Sequence, residues 1–104
     1  MPYQLLIDGS WRDAEGQATF EVENPATGQV LATVADASVA DGQAALAAAV
    51  AAQAKWAKTA PRDRGEILRR AYELVVERTD ELAGQMTAEM GKPVAESKAE
   101  IVYG

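Results

Sequence analysis

Glu96 and Glu100 stand four residues apart, a spacing that stacks two carboxylates on one helix face, where they could share a metal ion or a proton. Lys92 and Lys98 lie beside them and the chain has no histidine to complete a di-metal ligand set, so the pair reads as a solvated surface. Gly91-Lys92-Pro93 could present a lysine where a helix begins with unpaired amides, which is the chemistry of an anion clamp. A break between two helices accounts for the same three residues better. All eight glycines are isolated, so no glycine-rich phosphate loop is present. Ser10, Thr59 and Ser97 have no neighbouring base to activate a hydroxyl. Trp11 and Trp56 could stack on a ligand, yet each adjoins a regular element, where an indole more often fills core or interface space. The absence of cysteine and histidine removes thiolate nucleophiles, disulfides, Ser-His and Cys-His pairs and the common zinc sites. No catalytic, cofactor-binding or metal-ligating residue is therefore assigned within these residues.

The bulk charge narrows the partners. Ten Lys plus Arg against sixteen Asp plus Glu give a net charge of -6, which repels phosphate backbones and anionic lipid. The densest basic cluster, Arg62, Arg64, Arg69 and Arg70, is interleaved with Asp63, Glu66 and Glu73, the pattern of a solvated helix face laced with ion pairs. The longest apolar run, residues 44–52, is mostly alanine and far short of the ~20 apolar residues a spanning helix needs. Residues 1–10 carry neither a basic start nor a long apolar stretch of the secretory kind. The expectation is a cytoplasmic protein with no nucleic-acid or membrane partner.

The elements that would position these residues divide by composition near Asp36. β-formers and turn residues precede it; Ala, Leu, Glu, Lys and Arg follow it. The fold class expected is α+β, with a β-hairpin region at 1–35 and a helical region of about four helices at 36–104. Leu5, Leu6 and Ile7 reverse through Asp8-Gly9 into Ser10, Trp11 and Arg12. Thr19 to Glu23 pairs with residues 29–34 across the turn Asn24-Pro25-Ala26-Thr27-Gly28. Ser38 caps the first helix with Asp41 closing a capping box, and the helix runs to about Ala57 with Leu46, Val50, Ala54 and Ala57 on one side. Pro61 opens a second helix whose stripe is Ile67, Ala71, Leu74, Val75 and Arg78. Thr79 is expected to recap the chain. Leu82, Met86 and Met90 then continue at helical spacing to a left-handed stop at Gly91. A last helix from Pro93 carries Ala95, Ala99, Val102 and Tyr103, and apolar residues are still accumulating at Gly104, which reads as a truncation.

In order and spacing the strings Ile7-Asp8-Gly9-Ser10-Trp11, Asn24-Pro25-Ala26-Thr27-Gly28, Trp56 with Pro61-Arg62-Asp63-Arg64 and Ile67-Leu68-Arg69, and Glu89-Met90-Gly91-Lys92-Pro93 with Glu96 resemble the NAD(P)-dependent aldehyde dehydrogenases over essentially the whole chain. Residues 91–101 look most like the succinate-semialdehyde dehydrogenase branch. The resemblance implies the amino-terminal part of an α/β cofactor-binding domain in a much longer subunit. For that parent it implies NAD or NADP as cofactor, oxidation of an aldehyde through a thiohemiacetal, hydride transfer to the nicotinamide, and thioester hydrolysis. The family's nucleophilic cysteine, general-base glutamate and nucleotide contacts would all lie beyond Gly104, and so the segment alone is expected to be inactive and to bind no cofactor. Some members hold a monovalent cation on backbone carbonyls before the Asn-Pro turn and on an acid, often aspartate, after Gly-Lys-Pro. Carried over, those positions are Val22, Glu23 and Glu100.

Partners expected of such a segment are the remainder of the enzyme chain, other subunits, and, through its uncovered apolar surface and the open edges of Leu5 to Ile7, other copies of itself. The rival reading is a free-standing protein-interaction module that uses the alanine-rich helix and the stripe Leu82, Met86 and Met90. The codons downstream of Gly104 separate the two.

Overall fold

The computed structural model describes residues 2–104. Its elements run β1 (Leu5–Ile7), β2 (Ser10–Arg12), a turn of 3-10 helix (Glu15–Gln17), β3 (Thr19–Glu23), β4 (Val30–Ala35), α1 (Val39–Lys58), α2 (Pro61–Glu77), α3 (Thr79–Met90) and α4 (Val94–Tyr103). The strands form two separate two-stranded sheets, β1 with β2 and β3 with β4. Two compact units result, residues 1–22 with 32–59 and residues 23–31 with 60–104.

In the first unit β1 and β2 pair antiparallel with Leu5 opposite Arg12, Leu6 opposite Trp11 and Ile7 opposite Ser10. Asp8 and Gly9 both take positive φ, 51° and 73°, as the tightest hairpin turn demands of its two central residues. A tie with no periodic signal in the sequence joins Tyr3 to Val34 in a parallel bridge. Tyr3 N–H donates to the Thr33 carbonyl at 2.9 Å, and Ala35 N–H donates to the Tyr3 carbonyl at 2.8 Å.

The capping box at the start of α1 is present. Asp41 N–H donates to Ser38 Oγ at 3.1 Å, and Ser38 N–H donates to the Asp41 carboxylate at 2.9 Å. That carboxylate does more than cap, for it also accepts the Glu15 N–H at 2.9 Å and an Arg12 guanidinium N–H at 2.8 Å. Asp41 is 4% exposed, and among the described residues of this unit Ala14 is the one buried apolar side chain. A buried carboxylate survives where its lone pairs are matched by donors and a positive charge stands against it. Here β2, the 3-10 turn and the helix start all converge on one side chain.

In the second unit α2 opens on Pro61, where a missing amide hydrogen bond has no cost. The expected recapping by Thr79 does not occur. Its hydroxyl donates backwards to the Val76 carbonyl at 2.8 Å and to that of Val75 at 3.3 Å, while Arg78 holds the cap position of α3 with no side-chain bond. The free carbonyls closing α2 lie within reach of a threonine one turn on, so they win its proton. α3 ends at Gly91 with φ 86°, as its position after the Leu82, Met86 and Met90 stripe indicated. Ala83 and Ser97 are fully buried, and Ser97 Oγ lies 2.8 Å from Thr87 Oγ1 between α3 and α4. Lys98 on α4 reaches back to Asp80 on α3 at 2.6 Å. Along α2, Arg69 pairs with Glu66 and Glu73, and Arg70 with Glu73, which is the solvated ion-pair face expected.

Little of the apolar content is covered. The chain exposes 8008 Å², whereas even two separate compact globules of half its 11.0 kDa mass would together expose about 6,800 Å² by the usual scaling of area with mass. Ile67, Leu46, Val50 and both tryptophans remain on the surface. Neither indole fills a core within these residues.

Asp41 titrates below its ordinary value of 3.8 because the Glu15 and Ser38 amides, the Ser38 hydroxyl and the Arg12 charge all favour the ionised form. A depressed pKa adds stability that is complete above the unfolded value and fades as pH falls through the folded one. The wild-type chain is therefore expected to melt higher than Asp41→Asn at neutral pH, with the gap closing below about pH 3.8. Thermal melts followed by circular dichroism across that range check this; a gap independent of pH would contradict it.

Candidate functional site

The sequence strings on either side of α2 and α3 meet within the second unit. In the turn after β3, Asn24 Oδ1 accepts the Ala26 N–H at 2.9 Å, its carbonyl accepts the Gly28 N–H at 2.7 Å, and its own N–H donates to the Gln29 carbonyl at 2.9 Å. These bonds hold Pro25 against the corner between α3 and α4. A Cβ built on Gly91 would lie 3.1 Å from Pro25 Cγ. Gly91 is thus required twice, once by its left-handed backbone and once by the proline packed on it.

Lys92 follows, and its side chain is 12% exposed. Its ammonium pairs with the Glu100 carboxylate one helix further on. The lysine is therefore internally neutralised, which removes the charge an anion clamp would offer. The same pairing separates the two candidate acids: Glu100 is engaged by Lys92, while Glu96 stays exposed in the first turn of α4. Among the described residues no group of three or more acids, histidines or cysteines could hold a metal ion. Val22 is half-buried and Glu23 exposed at the end of β3. Of the positions carried over for a monovalent cation, Glu100 has its charge already met by Lys92.

The hydroxyl candidates are equally quiet. Ser97 Oγ is buried against Thr87 Oγ1, Thr59 Oγ1 donates to the Lys55 carbonyl at 3.0 Å, and Ser10 is exposed on β2. None faces a base. Asp80 is the other perturbed acid; the Lys98 ammonium, bonded to it, holds its carboxyl below the ordinary range. Sequence reasoning missed Asp41 as a hub and Ser97 as a buried peg. Asp41 was legible as half of the capping box, but its reach to Arg12 and Glu15 spans 29 and 26 residues.

What the surface does present is apolar. In the second unit a groove of about 700 Å³ runs between α2 and α4, lined by Leu68, Tyr72, Val75, Val76, Val102 and Tyr103 among others. A smaller one of about 260 Å³ is lined by Leu82, Met86, Met90 and Ile101. In the first unit Leu46, Val50 and Trp56 line an open trough on α1. These surfaces are lined mostly by apolar side chains, with the phenols of Tyr72 and Tyr103 in the larger groove.

Residues 11–104 match the aldehyde dehydrogenase family. A glutarate-semialdehyde dehydrogenase from Pseudomonas putida is 44% identical over 100 residues, 96% of this chain and 21% of that enzyme. A solved succinate-semialdehyde dehydrogenase from Burkholderia pseudomallei is 46% identical with a TM-score of 0.92, covering 97% of this chain and 21% of that one. A solved NADP-dependent enzyme of E. coli is 40% identical with a TM-score of 0.93, covering 98% and 21%. The chain thus spans about a fifth of the length of the relatives it matches.

Gly91→Ala puts a side chain into left-handed backbone and onto Pro25. It is expected to lower stability by about 1–2 kcal/mol, the cost of that conformation for a residue with a Cβ. Urea unfolding checks it; an unchanged midpoint would contradict the placement of the turn against the corner.

Proposed function

The chain belongs to the aldehyde dehydrogenase family, and from that premise we propose that it is the amino-terminal scaffold segment of an enzyme oxidising a semialdehyde to the carboxylate with NAD or NADP. The observation that carries the reading is the match of residues 11–104 to the family by a chain without cysteine, histidine or an activated hydroxyl. Support for a semialdehyde comes from the names of the succinate- and glutarate-semialdehyde dehydrogenases it is similar to, whose named substrates carry one carboxylate opposite the aldehyde. Succinate semialdehyde is the substrate we favour, in line with residues 91–101.

The segment contributes position and no chemistry. In the parent enzyme the remaining polypeptide supplies the nucleophile, the base and the nucleotide contacts, and covers the apolar faces of α1, α2 and α4. The hydride acceptor would be a nicotinamide nucleotide bound outside these residues. Partners are that remaining chain and further subunits, in the cytoplasm. Among the described residues no helix is long and apolar enough to cross a membrane.

Incubated with succinate semialdehyde and either nucleotide, the isolated 104-residue chain is expected to yield no reduced nicotinamide fluorescence. A polypeptide continuing from these residues to the length of the relatives is expected to turn over. Reduction of the cofactor by the short chain would overturn the scaffold reading.

A further inference from the structure

Two aspartates in this chain precede glycine, Asp8 before Gly9 and Asp41 before Gly42, and both pairs lie in the first unit. An Asp-Gly link is open to attack from within, because glycine places no Cβ beside the amide nitrogen that must reach the neighbouring carboxyl carbon. The fold treats the two links oppositely.

Asp8 and Gly9 are the central residues of the turn between β1 and β2. Asp8 is exposed, and among the described residues neither its carboxylate nor the Gly9 N–H has a hydrogen-bond partner. Three cross-strand pairs close the hairpin. A two-stranded ribbon of that length is marginal, so the turn opens locally far more often than the unit unfolds.

Asp41 lies in the first turn of α1 and is buried. One carboxylate oxygen accepts from the Arg12 guanidinium at 2.8 Å, and the other accepts from the Glu15 and Ser38 amides at 2.9 Å each. The Gly42 N–H is committed to the Ser38 carbonyl at 3.1 Å. Electrophile and nucleophile are thus both held in place. The same donors keep Asp41 ionised, and an anionic carboxylate has no oxygen ready to leave as water.

We propose that Asp8-Gly9 is a self-modification site, at which Asp8 passes through a cyclic imide to isoaspartate, and that the fold shields the chemically equivalent pair Asp41-Gly42. The Gly9 nitrogen attacks Asp8 Cγ. An N–Cγ bond forms, a Cγ–O bond breaks, and the carboxyl oxygen leaves as water with its own proton and the amide hydrogen. Water then adds to the ring. Addition at Cγ restores aspartate; addition at the Asp8 main-chain carbonyl breaks the original peptide bond, leaving Gly9 linked through the side chain and the α-carboxylate free. Composition is unchanged, and water is the only co-reactant. The product carries one more backbone atom in a turn that places Ile7 opposite Ser10 only at its present length. Arg12, two residues further along β2, then loses its fixed approach to Asp41.

Peptide mapping with electron-transfer fragmentation, which distinguishes isoaspartate from aspartate at each position, tests this on the purified chain aged at neutral pH. In the folded chain isoaspartate is expected to accumulate at residue 8 at least about tenfold faster than at residue 41, where several charge-assisted bonds must break first. In urea that gap is expected to close, because the fold that separates the two links is gone. Asp8→Asn suits the same turn and is expected to give the same mixture of aspartate and isoaspartate at residue 8, with ammonia leaving in place of water. The isolated isoaspartyl form is expected to melt below the unmodified chain. Equal rates at the two links in the folded chain, faster conversion at residue 41, a gap that urea does not narrow, or Asp8→Asn free of isoaspartate would each overturn the proposal. An unchanged melting temperature would overturn the coupling of the turn to Arg12.

Discussion

A helix satisfies its own backbone but cannot bury its own apolar stripe, and that requirement for a second layer governs this chain. α1 runs twenty residues with one buried side chain, Asp41, and α2 runs seventeen with none. Leu46, Val50, Ile67, Leu68, Tyr72 and Val76 are all of the type that drives packing, and all are exposed. The glutarate- and succinate-semialdehyde dehydrogenases it is similar to are about five times as long.

In place of a core, polar pegs fix the geometry. Asp41 gathers two amides, a hydroxyl and a guanidinium; Ser97 and Thr87 share a hydrogen between α3 and α4; Lys92 and Lys98 reach Glu100 and Asp80. Each of these contacts has directional demands that apolar packing lacks, so a few of them specify the approach of elements that bury little surface. Pro25 seated on Gly91 does the same by shape. Such pegs define orientation more than they add stability.

Local signals made most of the elements legible. Asp8-Gly9 read as a hairpin turn because both residues tolerate positive φ, Ser38 with Asp41 read as a cap because three residues separate them, and Pro61 and Gly91 marked a start and a stop through the ring and the missing Cβ. What stayed hidden was nonlocal or competitive. Arg12 and Glu15 meet Asp41 through the fold alone, Tyr3 bridges Val34 with a single pair too short to show periodicity, and Thr79 chose the carbonyls behind it over the amides ahead. Glu96 and Glu100 had the spacing of a pair, yet Lys92, on the preceding loop, took Glu100.

If the elements are formed while the second layer is absent, unfolding should expose little new apolar surface. Scanning calorimetry on the dilute, unassociated chain measures this as the heat-capacity change. The account predicts less than about half of the 1.2–1.5 kcal/mol/K ordinary for a hundred-residue domain. A cooperative transition with the full ordinary value would mean that the chain holds a complete core of its own, and would contradict the account.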